Sequence, residues 1–140
     1  MKEFISNNEE DTKKIAAEFV KELKGGDIVL LEGDLGAGKT AFVKGVVQAL
    51  GGDGNSVTSP TFTIVNEYSL PSKTIYHFDL YRIESVEELF NIGIEEYFYG
   101  QGICFIEWPE RASELFVGNH KKITILKTGE FSRKFIVEEF

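Results

Sequence analysis

Cysteines and basic residues are scarce in this sequence, and each shortage excludes a class of function. Cys104 is the only cysteine among 140 residues, so the sequence predicts neither an internal disulfide nor a cysteine-based zinc site. It lies within an apolar run and is interpreted as a small buried residue. Acidic residues outnumber basic ones by 23 to 15, which gives a formal net charge of −8. Because binding a phosphate backbone needs a basic surface, any role near RNA is expected to pass through a protein partner.

Long apolar runs are also missing. No stretch approaches the roughly 18–20 residues needed to cross a bilayer, and we expect no contact with a membrane. The residues that follow Met1 lack the apolar core of a signal peptide, so the expected location is the cytoplasm. Repeats and low-complexity tracts are absent, and the length of 140 residues predicts a single domain over residues 1–140.

One motif dominates what is present, a complete G-x-x-x-x-G-K-T loop at residues 33–40, between an apolar run at 28–31 and a helix-like segment at 41–50. In such a loop backbone N–H groups converge on phosphate oxygens, helped by the positive end of the following helix. Lys39 can reach the β- and γ-phosphates, and the Thr40 hydroxyl can bind Mg²⁺. The sequence therefore predicts a nucleotide-binding protein. The expected contact positions are Gly33, Asp34, Leu35, Gly36, Ala37, Gly38, Lys39 and Thr40.

Helix-like and strand-like segments alternate along the rest of the chain. Ser6 and Glu9 have capping-box spacing, which predicts a helix from Ser6 to Leu23. A second box at Ser85 and Glu88 predicts a short helix that ends at Phe90. Strand-like runs are found at 28–31, 61–68, 74–80, 103–106, 121–126 and 133–137. Two pairs of these runs are separated by short turn segments and predict hairpins. The expected fold is α/β, a three-layer fold like that of P-loop NTPases, with a central sheet that is part parallel and part antiparallel.

Two carboxylates follow apolar, strand-like runs. Glu107 comes directly after the run at 103–106, and Asp79 comes after the run at 76–78. A phosphate loop needs a second group to hold its metal, usually an acidic residue that ends a buried strand beside the loop's own strand. Glu107 is therefore the predicted partner of Thr40 at the metal, with a solvated strand-end glutamate as the alternative. Asp79 is the other candidate acid, and an ordinary turn aspartate is its alternative.

Two further polar segments are candidates for the site. Ser59 and Thr61 flank Pro60, in the position where nucleotide switches often place a loop against the γ-phosphate. A hydroxyl-rich turn leading into a strand would have the same sequence. His77 has no second histidine or cysteine at metal-ligand spacing, so it is predicted to be a hydrogen-bonded sheet histidine and not a metal ligand.

Four segments together carry a family resemblance: the loop at 33–40, S-P-T-F-T-I-V at 59–65, H-F-D-L-Y-R at 77–82 and I-E-W-P-E at 106–110. Their order and spacing resemble the TsaE (YjeE) family, the bacterial ATPases of the tRNA threonylcarbamoyladenosine pathway. The likeness implies a small ATPase that uses ATP and Mg²⁺ and works with TsaB and TsaD. Those partners attach a threonylcarbamoyl group to adenosine 37 of tRNA. The ATPase supports turnover of their complex and is expected to meet tRNA only through it.

The resemblance also assigns roles to single positions. It implies that Lys39 and Thr40 contact phosphate and Mg²⁺ and that Glu107 is a second carboxylate on the metal side. Asp79 matches the family's other functional acid, near the attacking water or the partner surface, so the expected catalytic residues are Asp79, Glu107 and Lys39. The other positions expected around the nucleotide are Ser59, Thr61, Glu110, Glu9 and Arg133. Where the family often has a second threonine this chain has Ala41, and a supporting hydrogen bond is expected to be absent.

Two other functions fit a phosphate loop. A small-molecule kinase would need an acceptor pocket and a mobile basic lid, for which this short acidic chain offers no obvious segment. A nucleotide-gated binding module is the other alternative. In it hydrolysis is incidental, so the module would still support its partners when hydrolysis is lost. A GTPase is disfavoured because the chain has no N-K-x-D segment to recognise guanine.

The isolated protein is predicted to turn ATP over slowly, at less than about 1 s⁻¹, the low end for kinases. No arginine can be assigned to stabilise charge in the transition state; Arg82, close to Asp79, is the nearest candidate, and a surface ion pair is its alternative. Phosphate release by the purified protein tests this, with Lys39→Ala as the background control. Faster turnover that the control abolishes would contradict a switch-like role.

Overall fold

The computed structural model describes residues 1–34, 36–60 and 63–140, and its centre is a sheet of seven strands. The strands are β1 (Lys2–Ser6), β2 (Ile28–Glu32), β3 (Val65–Ser69), β4 (Thr74–Asp79), β5 (Ile103–Glu107), β6 (Lys121–Lys127) and β7 (Arg133–Glu139). Their order across the sheet is β1-β7-β6-β2-β5-β4-β3. The helices are α1 (Glu9–Val20), α2 (Lys39–Ala49), α3 (Glu87–Asn91) and α4 (Ile94–Phe98), with 3₁₀ segments at Gly54–Ser56 and Pro109–Leu115.

Strand direction divides the sheet into a parallel centre and antiparallel flanks. β6, β2, β5 and β4 run parallel to one another, whereas β1 with β7, β6 with β7, and β3 with β4 are antiparallel pairs. The carboxyl ends of the central strands therefore meet at one edge of the sheet, where ligands bind in open α/β folds. The predicted P-loop NTPase-like fold with a mixed sheet is confirmed.

Helices cover both faces of the sheet. On the face of α1 and α2 the fully buried Phe42 packs against Phe19, Phe105 and Phe135, with ring centroids 5.9, 6.4 and 5.6 Å apart respectively. On the other face the core includes Leu89 of α3 and Ile94 of α4. The two apolar clusters lie on opposite sides because neighbouring residues of a strand point to opposite faces. The arrangement has the three layers that the sequence predicts.

The predicted start of the first helix is wrong. Ser6 is the last residue of β1, where it pairs with Arg133 of β7, and its hydroxyl lies 2.7 Å from the Thr12 hydroxyl. Asn8 is the N-cap of α1 instead, and its side-chain oxygen accepts a hydrogen bond of 2.8 Å from the N–H of Asp11. Asparagine caps a helix at least as well as serine. The helix also ends at Val20, three residues before the predicted end.

The other predicted elements are found with shifted bounds. Glu88 accepts a 3.1 Å hydrogen bond from the Ser85 N–H, one half of the predicted capping box, but α3 begins at Glu87 and its N-cap residue is Val86, without a side-chain cap. Both predicted hairpins form, β3 with β4 and β6 with β7. The first strand of the β3–β4 hairpin begins at Val65 in the described part of the chain, and the residues 61–62 that the sequence assigns to it lie outside that part. Sequence patterns did not predict α4.

Cys104 is buried in β5, as predicted, and only 1% of its surface is exposed. Burial raises the pKa of its thiol to about 12, because the thiolate would lose its solvation. A thiol that stays neutral at physiological pH is a poor nucleophile. Among the residues that the structure describes, no helix is both long enough and apolar enough to cross a membrane.

Replacing the N-cap tests the corrected start of α1. We expect Asn8→Ala to lower the free energy of unfolding by about 1 kcal/mol, because the Asp11 N–H loses its acceptor. The matched control is Asn7→Ala, since Asn7 bonds Asp11 through its backbone N–H and not through its side chain. Urea unfolding at equal m-values measures the difference. Equal stability of the two variants would contradict the assignment of Asn8 as the cap.

Candidate nucleotide-binding site

The phosphate loop joins the end of β2 to the start of α2, at the carboxyl edge of the parallel strands. Gly38 is the N-cap residue of α2 and has φ of 110°, a left-handed conformation that side chains rarely tolerate. A Cβ on Gly33 would lie 2.7 Å from the carbonyl oxygen of Ile125, so only glycine fits beside β6 at that position. The Ala37 N–H donates to the Asp34 carbonyl across 2.9 Å and tightens the turn. Leu35, which the sequence also assigns to the nucleotide, lies outside the described residues.

Lys39 is held inside the site. Its ammonium Nζ donates to the Gly33 carbonyl at 2.7 Å and lies 3.9 Å from the centre of the Trp108 ring, a cation–π contact. Only 5% of the residue is exposed. Burial lowers the pKa of Lys39 because it disfavours the charged form, and nearby negative charges oppose that shift. The groups that raise its pKa are the carboxylates of Glu107, Asp79, Glu110 and Asp34.

Glu107 ends the fully buried strand β5 and connects it to the loop helix. Its Oε2 accepts a 3.3 Å hydrogen bond from the Thr40 hydroxyl. The same oxygen lies 2.5 Å from Nε2 of His77, on the neighbouring strand β4. His77 is thus a hydrogen-bonded sheet histidine, as predicted. Glu107 is only 4% exposed, so the solvated glutamate that the sequence left open is not what the structure shows.

Asp79 ends β4 directly beside Glu107, its partner in the parallel register. Its Oδ2 accepts from the Ser59 hydroxyl at 3.2 Å, and its Oδ1 accepts from the Tyr81 N–H at 2.9 Å. The residue is 4% exposed. The structure therefore brings the predicted switch residue Ser59 to the second acid, while Thr61 lies outside the described part of the chain.

Two cavities adjoin along the loop. One, of about 290 Å³, lies at the carboxyl edge of the strands, and its lining includes Lys39, Thr40, Ser59, Asp79, Tyr81 and Glu107. The other, of about 500 Å³, has a lining that includes Asn8, Glu9, Lys44, Phe131 and Arg133. Gly38 lines both cavities. The larger volume is in the range of small-molecule sites, so a phosphate chain on the loop could continue into a nucleoside there.

The outlying predicted residues occupy different places around these cavities. Glu9 and Arg133 line the larger one. Arg133 also donates from Nε to the Ala37 carbonyl at 2.8 Å, which ties β7 to the phosphate loop. Glu110 lines neither of the two, and its connection to the site is the electrostatic effect on Lys39.

Comparison with known proteins identifies the family. The sequence profile of the family described as "Threonylcarbamoyl adenosine biosynthesis protein TsaE" matches residues 6–135. The chain belongs to the TsaE family. A Bacillus subtilis protein named tRNA threonylcarbamoyladenosine biosynthesis protein TsaE is 43% identical over 127 residues, which are 91% of this chain and 78% of that protein. A Rickettsia felis protein of the same name is 47% identical over 106 residues, 76% of this chain and 61% of the relative.

A solved structure of a similar protein supports the fold of this TsaE-family chain. The crystal structure of Bacillus subtilis YdiB superimposes with a TM-score of 0.78 at 36% sequence identity. The match covers 99% of this chain and 84% of YdiB. The chain is therefore a P-loop NTPase-like protein of the TsaE family.

The donor set at the loop fits a magnesium nucleotide. Thr40 and Glu107 offer a hydroxyl and a carboxylate oxygen, the hard ligands that Mg²⁺ prefers. Within the described residues, no three His, Cys, Asp or Glu side chains are grouped so that they could hold a metal alone. Mg²⁺ in nucleotide sites usually keeps several waters and takes substrate phosphates as ligands, so it needs few protein groups. Thr40 and Glu107, the two residues predicted to hold the metal, could supply those few protein ligands.

Sequence reasoning missed Tyr81 and the contact of Trp108 with Lys39 in this TsaE-family site. Tyr81 lines the smaller cavity, and its ring lies 4.9 Å from that of Trp108. Trp108 itself has φ of 58°, a left-handed conformation that is uncommon for a bulky residue, and it directs its ring to Lys39. The only local signal for this arrangement was the position of Trp108 directly after Glu107.

Removal of the loop lysine is expected to weaken nucleotide binding. We predict that Lys39→Ala lowers the affinity for Mg·ATP about 10–100-fold, the effect of losing one or two charge-assisted hydrogen bonds. Trp108 is the only tryptophan and contacts Lys39, so its fluorescence should report binding in the wild type. For the variant, calorimetry replaces fluorescence, because the substitution alters the tryptophan's surroundings. Lys14→Ala, an exposed position on α1, is the charge-matched control, and equal losses in both variants would refute the assignment.

Proposed function

We propose that this chain is the ATP-binding and ATP-hydrolysing subunit of the machinery that makes tRNA threonylcarbamoyladenosine, and that it supports turnover of a TsaB–TsaD complex. One observation carries the proposal: Lys39, Thr40, Asp79 and Glu107 line a single cavity at the end of the phosphate loop. Similar proteins named for threonylcarbamoyladenosine biosynthesis support the pathway.

Substrate binding follows from the loop. The γ- and β-phosphates of ATP would lie on the backbone N–H groups at the start of α2, with Lys39 as the neutralising cation. Lys39 would exchange its contact with the Gly33 carbonyl for phosphate oxygens. Thr40 and Glu107 would hold Mg²⁺, which when bound neutralises phosphate charge and helps orient the γ-phosphate.

Hydrolysis needs a water aimed at the γ-phosphate. Asp79 and Glu107 are paired at the ends of adjacent strands and both line the cavity, so each is a candidate to orient that water. Ser59 donates to Asp79. Through this bond, the segment around Ser59 would move when the γ-phosphate binds or leaves. Catalysis of this kind is largely positioning and charge stabilisation.

The positive charge available at the site is consistent with slow turnover by the isolated chain and faster turnover with partners. No arginine is part of the smaller cavity's lining in the described portion of the chain. An arginine that stabilises the transition state can be supplied by a partner protein, as it is for some GTPases. The net charge of −8 favours docking on a basic protein surface and contact with tRNA only through the complex.

Hydrolysis assays with and without partners test the proposal. We expect slow phosphate release from the chain alone, a faster rate once TsaB, TsaD and tRNA are present, and loss of both rates in Lys39→Ala. Lys14→Ala should behave as the wild type, because its exposed side chain is on α1. If the rate of phosphate release were the same with and without the partners, the proposed role in the complex would be contradicted.

Glu107→Ala separates an ATPase from a nucleotide-gated binding module in the same assay. If hydrolysis drives turnover, this variant should bind ATP but fail to support threonylcarbamoyladenosine formation over repeated cycles. Full support without hydrolysis would favour the binding module.

A further inference from the structure

His77 is a buried polar side chain that the proposed mechanism leaves without a role. It lies in the middle of β4 with none of its surface exposed. Its register partners are Phe105 of β5 and Asn66 of β3, and Ile75, two residues before it on the same face, is fully buried. Among the described residues its Nδ1 has no hydrogen-bond partner. A fully buried imidazole with one unpartnered nitrogen is costly compared with a leucine.

The other ring nitrogen makes a contact that offsets this cost. His77 Nε2 lies 2.5 Å from Oε2 of Glu107, across the diagonal between β4 and β5. A proton on Nδ1 would be a buried donor without an acceptor. The tautomer that fits the site is therefore the one with its proton on Nε2, which donates to the carboxylate.

The contact holds one carboxylate oxygen of Glu107 and leaves the other oxygen for other partners. Both His77 and the Thr40 hydroxyl bond Oε2. Within the described residues no hydrogen bond is found to Oε1, and Glu107 lines the smaller cavity. Two donors on one oxygen restrict rotation of the carboxylate, so Oε1 is available for the solvent shell of the metal or for the attacking water.

We propose that His77 is a positioning residue for the ATPase reaction, which acts through Glu107 by holding the carboxylate in the orientation that the metal and its water require. This inference rests on the proposed function. It predicts an effect on Mg²⁺ use and turnover with little effect on metal-free nucleotide binding, because His77 acts through Glu107 and the loop contacts the phosphates directly.

Three variants separate positioning from packing. His77→Leu removes the donor and fills the space. His77→Gln keeps an N–H donor at about the reach of imidazole Nε2. Ile75→Val, on the same strand and the same face, alters packing without touching Glu107 and is the matched control.

We expect His77→Leu to lower kcat or raise the Mg²⁺ concentration needed for half-maximal turnover by about 10–100-fold, as second-layer partners of metal ligands do. Binding of ATP in EDTA, followed by Trp108 fluorescence, should stay within about twofold of the wild type. His77→Gln should recover a large part of the loss, and Ile75→Val should show none of it. Equal losses in His77→Leu and His77→Gln, or a similar loss in Ile75→Val, would assign His77 a packing role and overturn the proposal.

A second measurement does not depend on activity. In nitrogen-15 NMR spectra, the His77 ring should show a protonated Nε2 in a hydrogen bond, and Glu107→Ala should remove the hydrogen-bond signature. A ring whose Nε2 carries no proton would overturn the proposal even if the ATPase assay succeeds. A wild-type protein that binds no ATP, by contrast, would defeat the proposed function while leaving the His77–Glu107 contact measurable.

Discussion

Parallel pairing of β5 with β2 on one side and β4 on the other is the constraint on which the site depends. It brings the phosphate loop after β2, Glu107 at the end of β5 and Asp79 at the end of β4 to one edge of the sheet. Parallel strands need crossover connections, and helices supply them on both faces. Phe42 of the loop helix α2 packs into the core on the face of α1 and α2, against Phe105 of β5 and Phe135 of β7. A slip of one residue in β5 would turn Glu107 to the opposite face and away from Thr40.

Charge compensation at this edge depends on the same geometry. The Lys39 ammonium lies between the Gly33 carbonyl and the Trp108 ring, amid carboxylates that favour its charged form against the effect of burial. Glu107 is held by a hydroxyl and an imidazole and makes no close ion pair with Lys39 among the described residues. The positive charge of Lys39 is thus stabilised by the Gly33 carbonyl, the Trp108 ring and carboxylates that make no close ion pair with it in the described part of the chain. Such contacts are individually weak enough to be exchanged for phosphate oxygens.

Local sequence signals predicted most of the elements and the residues at the centre of the candidate site. The glycine spacing around Lys39 predicts the loop directly, because Gly38 has a left-handed backbone that favours glycine. Glu107 and Asp79 could be recognised as acids that end apolar runs. The start of α1 was assigned wrongly because Ser6 and Asn8 are both good caps. Pairing of β1 with β7, a contact between the ends of the chain, decided between them. No local pattern contains that information.

Residues close together in the chain predict the phosphate loop, the α/β alternation and the two strand-end acids, and the order of four short segments carries the family resemblance. Which side chains meet follows from the folded arrangement of strands and helices. His77 and Thr40 share one oxygen of Glu107, Arg133 bonds the loop carbonyl of Ala37, and Trp108 covers Lys39. These contacts join residues from different strands and helices, and their distances follow from strand register and helix packing. Only the folded sheet fixes those quantities, because propensities and spacings act over a few residues at a time.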